Sequence, residues 1–418
     1  MDAIKKTQLF NASCVALVVT ALAFGTRGGF VEGVWAKEFS LTNEQVGWIV
    51  GTAFWGFTLA MVFGGPLVDI IGIGRIIAIA FFCHVIGIVM TILATGFWTL
   101  FISTLFIGIA NGSVEAACNP LITSMYTDEK TRRLNRFHAW FPTGVVMGGL
   151  VVYLFNNIGL TNWRWAMGVM LLPTLAYGLM FFNKKFPETE RVTSGFSYKD
   201  MLKACVSPLF LFMAFCMILT AATELGTNQW IAALLSNVSD NPILLLVWIS
   251  GIMALARQFG GTFIHNTKST VILLLSATLA FIGLILMGYT HGVMVFVSAG
   301  IFALGIAFFW PTMLGFVSEN IPESGALGLA IMGGIGFLGG AIAQPTLGAI
   351  FDAQTAAALP AGQSIEILRS AVEGTQEAAT WAAAQFKGGV MTLRYVAIVP
   401  AVLIVLFTFL HFRKRKTA

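Results

Sequence analysis

The chain has 418 residues, 57% of them hydrophobic and only 10% charged, with a mean hydropathy of +0.84. Soluble domains carry about 25% charged residues, so a mainly water-solvated protein is excluded, and the lack of short alternating segments excludes a membrane β-barrel. The net charge of +5 needs no nucleic-acid partner, because basic loops facing anionic lipid explain it.

Apolar runs long enough to cross a bilayer, about 20 residues each, recur along the whole length. They predict twelve membrane helices at 10–33, 43–68, 73–97, 99–125, 137–157, 163–183, 208–236, 242–265, 269–290, 292–318, 325–352 and 389–412. The first resembles a signal peptide in its flanks, MDAIKK and then an apolar run, but with so many segments behind it we read an uncleaved helix. It carries Arg27 and Glu32 in its second half. Segment 4 holds Glu115, segment 7 holds ELGTNQW (224–230), segment 8 holds Arg257, and segment 10 holds FFWP (308–311). Segment 11 contains GIGFLG (334–339), which fits a dinucleotide-binding pattern. With no strand before it and an apolar run around it, the glycines predict close helix packing instead. The Ala-rich stretch 353–388 predicts a short surface helix. Five cysteines, odd in number and without paired spacing, predict free buried thiols.

Lys and Arg distribute unevenly between the two sides. With the N-terminus inside, seventeen fall on the inner face and five on the outer, which predicts a cell-membrane protein with both termini cytoplasmic.

The halves repeat. FGGPLVD (63–69) and FGGTFIH (259–265) end segments 2 and 8, and GIA recurs at 108–110 and 305–307. The residue numbers differ by 196 and 197. Two six-helix bundles, 1–183 and 208–418, joined by a cytoplasmic linker at 184–207, follow from this; such repeats place a transported molecule at their interface. Twelve helices as six plus six, with GPLVDIIGIGR between segments 2 and 3, resemble the major facilitator superfamily. Gly65, Asp69, Gly72 and Arg75 match its loop motif, while Ile70, Ile73 and Gly74 depart from it. The resemblance implies an all-α fold, alternating access, and a gating role for Asp69 and Arg75.

A charge at the bilayer centre costs about 2.5–3.5 kcal/mol on insertion scales, so such residues usually face a partner or a cavity. Glu224 and Arg257 fall at similar depth and are expected to pair, as a structural or gating element. Glu115 has Asn111 one turn before it and Asn119 one turn after, which predicts a polar stripe on one helix face. Desolvation penalises the charged form of a carboxyl, so Glu115 in a poorly hydrated cavity is suited to exchange a proton, with Arg27 as a modulating cation and Glu32 as a second candidate. Asn228 and Gln229 offer amide donors and acceptors, and Trp310 an aromatic surface, for a polyol ligand. His138, Trp140 and Gln344 are weaker candidates.

EAACNP (115–120) and RLNRFHAWFPTG (133–144) resemble the fucose permease branch of that superfamily. This implies a monosaccharide substrate with proton symport, a site role for Glu115 and Asn119, no cofactor, and a monomer. The branch carries an acidic residue in its first helix where this chain has Gly29, so the coupling scheme stays open, with sodium coordination by Glu115 as the alternative to proton exchange. An organic-anion carrier using Arg27 and Arg257 as counter-charges is the alternative, and a membrane sensor a more distant one.

Overall fold

A computed structural model describes residues 3–28, 32–127, 130–189, 198–236, 241–259, 267–360, 365, 368, 371–372 and 374–417. Lipid offers no partner to backbone amides, so a spanning chain must satisfy them within each segment. The described residues accordingly form twelve apolar helices that run through the bundle. They are α1 (Ala3–Thr26), α2 (Asn43–Ile71), α3 (Ile73–Ile92), α4 (Phe97–Met125), α5 (Trp140–Asn157), α6 (Trp163–Phe181), α7 (Pro208–Leu234), α8 (Ile243–Phe259), α9 (Ser269–Met287), α10 (Val293–Asn320), α11 (Gly325–Ala357) and α12 (Gln376–Arg413). Eleven reach the length and hydropathy of a membrane span, and α8 is a shorter apolar helix. We call the end holding Ala3 and Arg413 proximal and the other distal.

Two boundaries differ from expectation. α1 begins at Ala3, because Lys5 and Lys6 can join the first turns while their ammonium groups reach out of the apolar layer. The surface helix expected at 353–388 falls partly on residues outside those described, among which Ile365 and Leu368 are helical. At the ends of that stretch α11 runs on to Ala357 and α12 starts at Gln376, where the Thr375 side chain accepts from the Ala378 amide as the N-cap.

Close helix approach rests on small residues, as in lipid it must. Gly108 and Gly112 of α4 lie against the α2 backbone at Ala53 and Phe57. Gly87 of α3 meets Ser103 and Ile107 of α4, and Gly283 of α9 meets Phe302 of α10 in the same way. Positions 87 and 283 differ by 196, the offset of the sequence repeat. The first helices of the two halves share a second device. α1 ends in a π turn at Arg27–Gly28, and α7 carries a π segment at Ala222–Gly226, which puts Arg27 and Glu224 at equivalent places 197 residues apart.

Many hydroxyls in the apolar helices fold back on their own helix: Ser13 on the Leu9 carbonyl, Thr26 on Leu22, Thr91 on Gly87, Thr174 on Met170 and Thr392 on Gly388. They satisfy themselves and are no ligand site. All five cysteines are free, four of them buried.

The halves meet along α2 and α11. From the distal end inward, Asn43 and Gly348, Gly47 and Gln344, Gly51 and Ala341, Thr58 and Gly334, and Met61 and Gly333 face one another. Phe337 stacks on Phe57 at 3.5 Å between centroids. Distally α5 also meets α8 through Gly149 and Val247. Gly65, one turn proximal of Met61, has nothing within 4 Å of where a Cβ would stand. The GIGFLG glycines serve this packing, with Gly336 under Trp310 and Gly339 on the α7 backbone.

Candidate functional site

Asn119 is the residue the structure joins to Glu115. Its side chain lies near the Glu115 carboxyl, while its Oδ1 has no hydrogen-bond partner among the described residues. Glu115 is 8% exposed, and Asn119, one turn closer to the proximal end, is half-buried. Asn111 leaves the expected stripe. Steps of four residues rotate by 40° each, so Asn111 and Asn119 lie about 80° apart around the helix. Asn111 points to α3, where its Oδ1 lies 2.8 Å from His84 Nε2, and His84 Nδ1 lies 2.9 Å from the Tyr177 hydroxyl. His84 is thereby a satisfied core histidine holding α3, α4 and α6.

Arg27 does not neighbour Glu115. Cys118, one turn from Glu115, lies near Ser13 of α1, and Arg27 stands fourteen residues further along that helix, about 20 Å at 1.5 Å per residue. Its Nε donates to the Ala23 carbonyl at 2.9 Å. Glu32 opens a short helix, Glu32–Glu38; its side chain, like the whole of Gly29, lies outside the described residues.

Glu224 and Arg257 pair as expected, Arg257 Nη2 to Glu224 Oε1 at 3.1 Å. The local backbone explains the geometry. Pro311 has no N–H to give the carbonyl four residues back, which frees the Ala307 oxygen, and α10 breaks at Phe308. Arg257 Nε donates to that Ala307 oxygen at 2.8 Å. One guanidinium thus ties α7, α8 and α10 together. His138, just before α5, lies close enough to feel the Arg257 charge.

From this pair distally runs a set of buried polar atoms without hydrogen-bond partners among the described residues. They are Glu224 Oε2, Thr227 Oγ1, Asn228 Oδ1, both Gln229 amide atoms and Trp230 Nε1 on α7, with Gln344 Oε1 on α11. Gln344 Nε2 reaches the Leu225 carbonyl at 3.4 Å, and Asn228 Nδ2 is 3.8 Å from Met253 Sδ. Trp310 packs edge-on to Phe337 at 5.4 Å. Glu115 does not belong to this layer. It lies level with Ala60–Gly64 of α2, hence with Gly333 of α11, whereas the α7 cluster is level with Gln344. Eleven residues of helix separate the two levels, about 16 Å. The residues expected to form one site form two layers.

Asp69 and Arg75, expected to gate, stand where α2 gives way to α3. Arg75 Nη1 donates to the Ile71 carbonyl of its own turn at 3.3 Å. Asp69 accepts from the Thr189 hydroxyl of the linker, and Phe186 of the linker covers Gly74. A tie between the halves lies distally and was not legible in the sequence. Asp352, at the end of α11, accepts from Asn43 Nδ2 at 2.9 Å and from the Glu44 amide at 3.0 Å, so a carboxylate caps the positive N-terminus of α2. Asp352→Ala is expected to loosen the distal end, lengthening the mean distance between spin labels placed at Leu160 and Val293; an unchanged distribution would remove the capping contact from the gate.

The Major Facilitator Superfamily model matches residues 13–344. The D-xylose transporter of Levilactobacillus brevis is 26% identical over 181 residues, 42% of this chain and 39% of that protein. The glucose transporter GlcP of Staphylococcus epidermidis is 26% identical over 176 residues, 41% of this chain and 38% of that protein. The matched stretch thus spans less than two-fifths of either relative's length. In overall fold the chain is similar to a bacterial homologue of the human lysosomal transporter Spinster in its inward-facing, unoccupied conformation, at a TM-score of 0.78, 16% identity and 97% coverage of both chains. The chain belongs to the Major Facilitator Superfamily and is a multi-pass membrane protein.

Proposed function

We propose that the protein carries a monosaccharide or closely related polyol across the cell membrane by alternating access, in symport with protons. The observation that carries this reading is the layer of unpartnered neutral donors and acceptors at Thr227, Asn228, Gln229, Trp230 and Gln344. A buried polar group left unmade is unfavourable by about 1–3 kcal/mol, so such a cluster persists where a ligand rich in hydroxyls completes it. Sugar hydroxyls donate and accept at once, which suits amides better than charges. The similarity to xylose and glucose transporters supports the same class, as does the likeness of residues 115–120 to the fucose permease branch. The organic-anion reading is weakened because Glu224 already neutralises Arg257.

In this account the basic proximal side is cytoplasmic, and the distally closed conformation is the inward-facing one. The two six-helix bundles, 1–183 and 208–418, rock about the α2–α11 seam, and the protein works as a monomer. Glu115 exchanges the coupling proton, with Asn119 beside it one turn nearer the proximal side. Glu115 then acts at a distance from the sugar layer, so coupling passes through helix movement and not through direct contact. Counterflow of a labelled monosaccharide panel in proteoliposomes tests the substrate class. Exchange of at least one sugar is expected; exchange of aromatic or carboxylic acids with no sugar would overturn it.

A further inference from the structure

α12 is longer than a membrane requires. The span Gln376–Arg413 has 38 residues, about 57 Å at 1.5 Å per residue, against a hydrocarbon layer of roughly 30 Å. Arg394 stands nineteen residues from Arg413, about 28 Å, so it marks the distal edge of that layer. Lys387 stands seven residues further out, about 10 Å. The polar headgroup zone adds only about 5–8 Å on each side, so Lys387 reaches water. At 33 residues α11 overhangs as well, ending at Ala357.

Where the two overhangs meet the α9–α10 turn lies a hollow of about 440 Å³, within the roughly 300–1,000 Å³ of small-molecule sites. Its wall holds Tyr289 and His291 of the turn, Gln354 of α11, and Phe386, Lys387 and Arg394 of α12. No acidic residue stands among the described residues that line it. Lys387 and Arg394, seven residues apart, share one face of α12. Arg394 is fixed in place. Its Nε and Nη2 donate to the Gly288 carbonyl at 3.2 and 2.7 Å, Nη1 lies 3.4 Å from Met391 Sδ, and the Tyr289 ring lies 3.8 Å from the guanidinium carbon. A guanidinium carries five N–H donors in one plane. The carbonyl occupies the Nε–Nη2 edge, which leaves the outer edge, one N–H each of Nη1 and Nη2, without a partner among the described residues. That edge is a fork that grips an oxyanion through two oxygens.

We propose that this hollow binds a small water-soluble phosphorylated polyol on the distal face, outside the transport path. The phosphate sits on the free fork of Arg394 and faces Lys387, two cations for a dianion. The Gln354 amide and the His291 ring supply partners for hydroxyls, and Phe386 and Tyr289 supply the apolar faces. The hollow is too large for a bare phosphate and too far from the hydrocarbon at Lys387 for a lipid headgroup. Its lining comes wholly from the second half, so it persists when the halves rock. The bound molecule ties the overhanging ends of α11 and α12 to the α9–α10 turn, and it stabilises the protein by mass action. This inference is independent of the substrate reading, because none of these residues belongs to the α7 layer.

The test uses the full-length protein in phosphatidylcholine nanodiscs, with glucose 6-phosphate as the probe. Calorimetric titration should show one equivalent bound whether or not excess glucose is present, and the thermal midpoint should rise with probe concentration. Lys387→Gln changes an exposed side chain and should leave the fold intact while weakening binding about tenfold, the effect of one hydrogen bond to a charged group. Arg394→Lys keeps the charge without the fork and should weaken binding at least as much; if that variant does not fold, Lys387→Gln still decides. No binding, or binding that Lys387→Gln leaves unchanged, would overturn the site. Displacement by glucose would place the probe in the α7 layer and overturn it too. So would native mass spectrometry that finds a phospholipid held by the wild type, released by Lys387→Gln and not displaced by glucose 6-phosphate.

Discussion

Arg257→Ala is expected to destabilise the protein by about 3–5 kcal/mol, the range for removing one partner of a buried pair. The size follows from what the change leaves behind. Glu224 is 7% exposed on its side chain and Arg257 22%, so the carboxylate loses its counter-charge where water scarcely reaches. The Ala307 carbonyl, which Pro311 has already deprived of its helical donor, loses Arg257 Nε as well. Three helices of the second half share the damage. Thermal unfolding of the purified protein should show a large fall in midpoint for Arg257→Ala, and the double change Glu224→Gln with Arg257→Gln should recover much of it, because two neutral groups replace an unpaired charge. A midpoint unchanged in the single variant would mean that the ion pair contributes nothing to the fold.

Gln229→Leu separates a ligand contact from a packing residue. Gln229 is fully buried, and neither of its amide atoms has a hydrogen-bond partner among the described residues. A purely structural residue in that position is a burden, and a leucine of similar size should leave stability equal or raised. A ligand contact behaves otherwise. Losing one or two hydrogen bonds of about 1 kcal/mol or more each in a site built for hydroxyls should raise the half-saturating sugar concentration in counterflow by about tenfold to a hundredfold. Equal or higher stability with unchanged counterflow would remove Gln229 from the site, and with it the strongest support for a polyol ligand.

Much of this was legible because lipid simplifies the physics. Runs of about 20 apolar residues can be little else than spanning helices, and the Glu224–Arg257 pair followed from depth alone. The repeat was legible as short strings and reappears in the packing of Gly87 and Gly283. Rotation around a helix was harder to read. Asn111 looked like a neighbour of Glu115 by spacing, yet the drift of four-residue steps carried it to His84. Depth across helices was harder still, because Arg27 and Glu115 both sit in apolar runs while nothing local says that about 20 Å separates them. The Asp352–Asn43 contact joins residues 309 apart in sequence; each is an unremarked polar residue at a helix end until the halves meet.

The central claim is that sugar binding and proton coupling occupy separate layers, and Glu115→Gln tests it most directly. Counterflow requires substrate exchange but no net proton movement, whereas accumulation driven by a pH gradient requires both. The account predicts that Glu115→Gln proteoliposomes exchange labelled sugar at a rate near the wild type and fail to accumulate it. Accumulation that survives in the variant, or exchange that vanishes together with it, would contradict the separation.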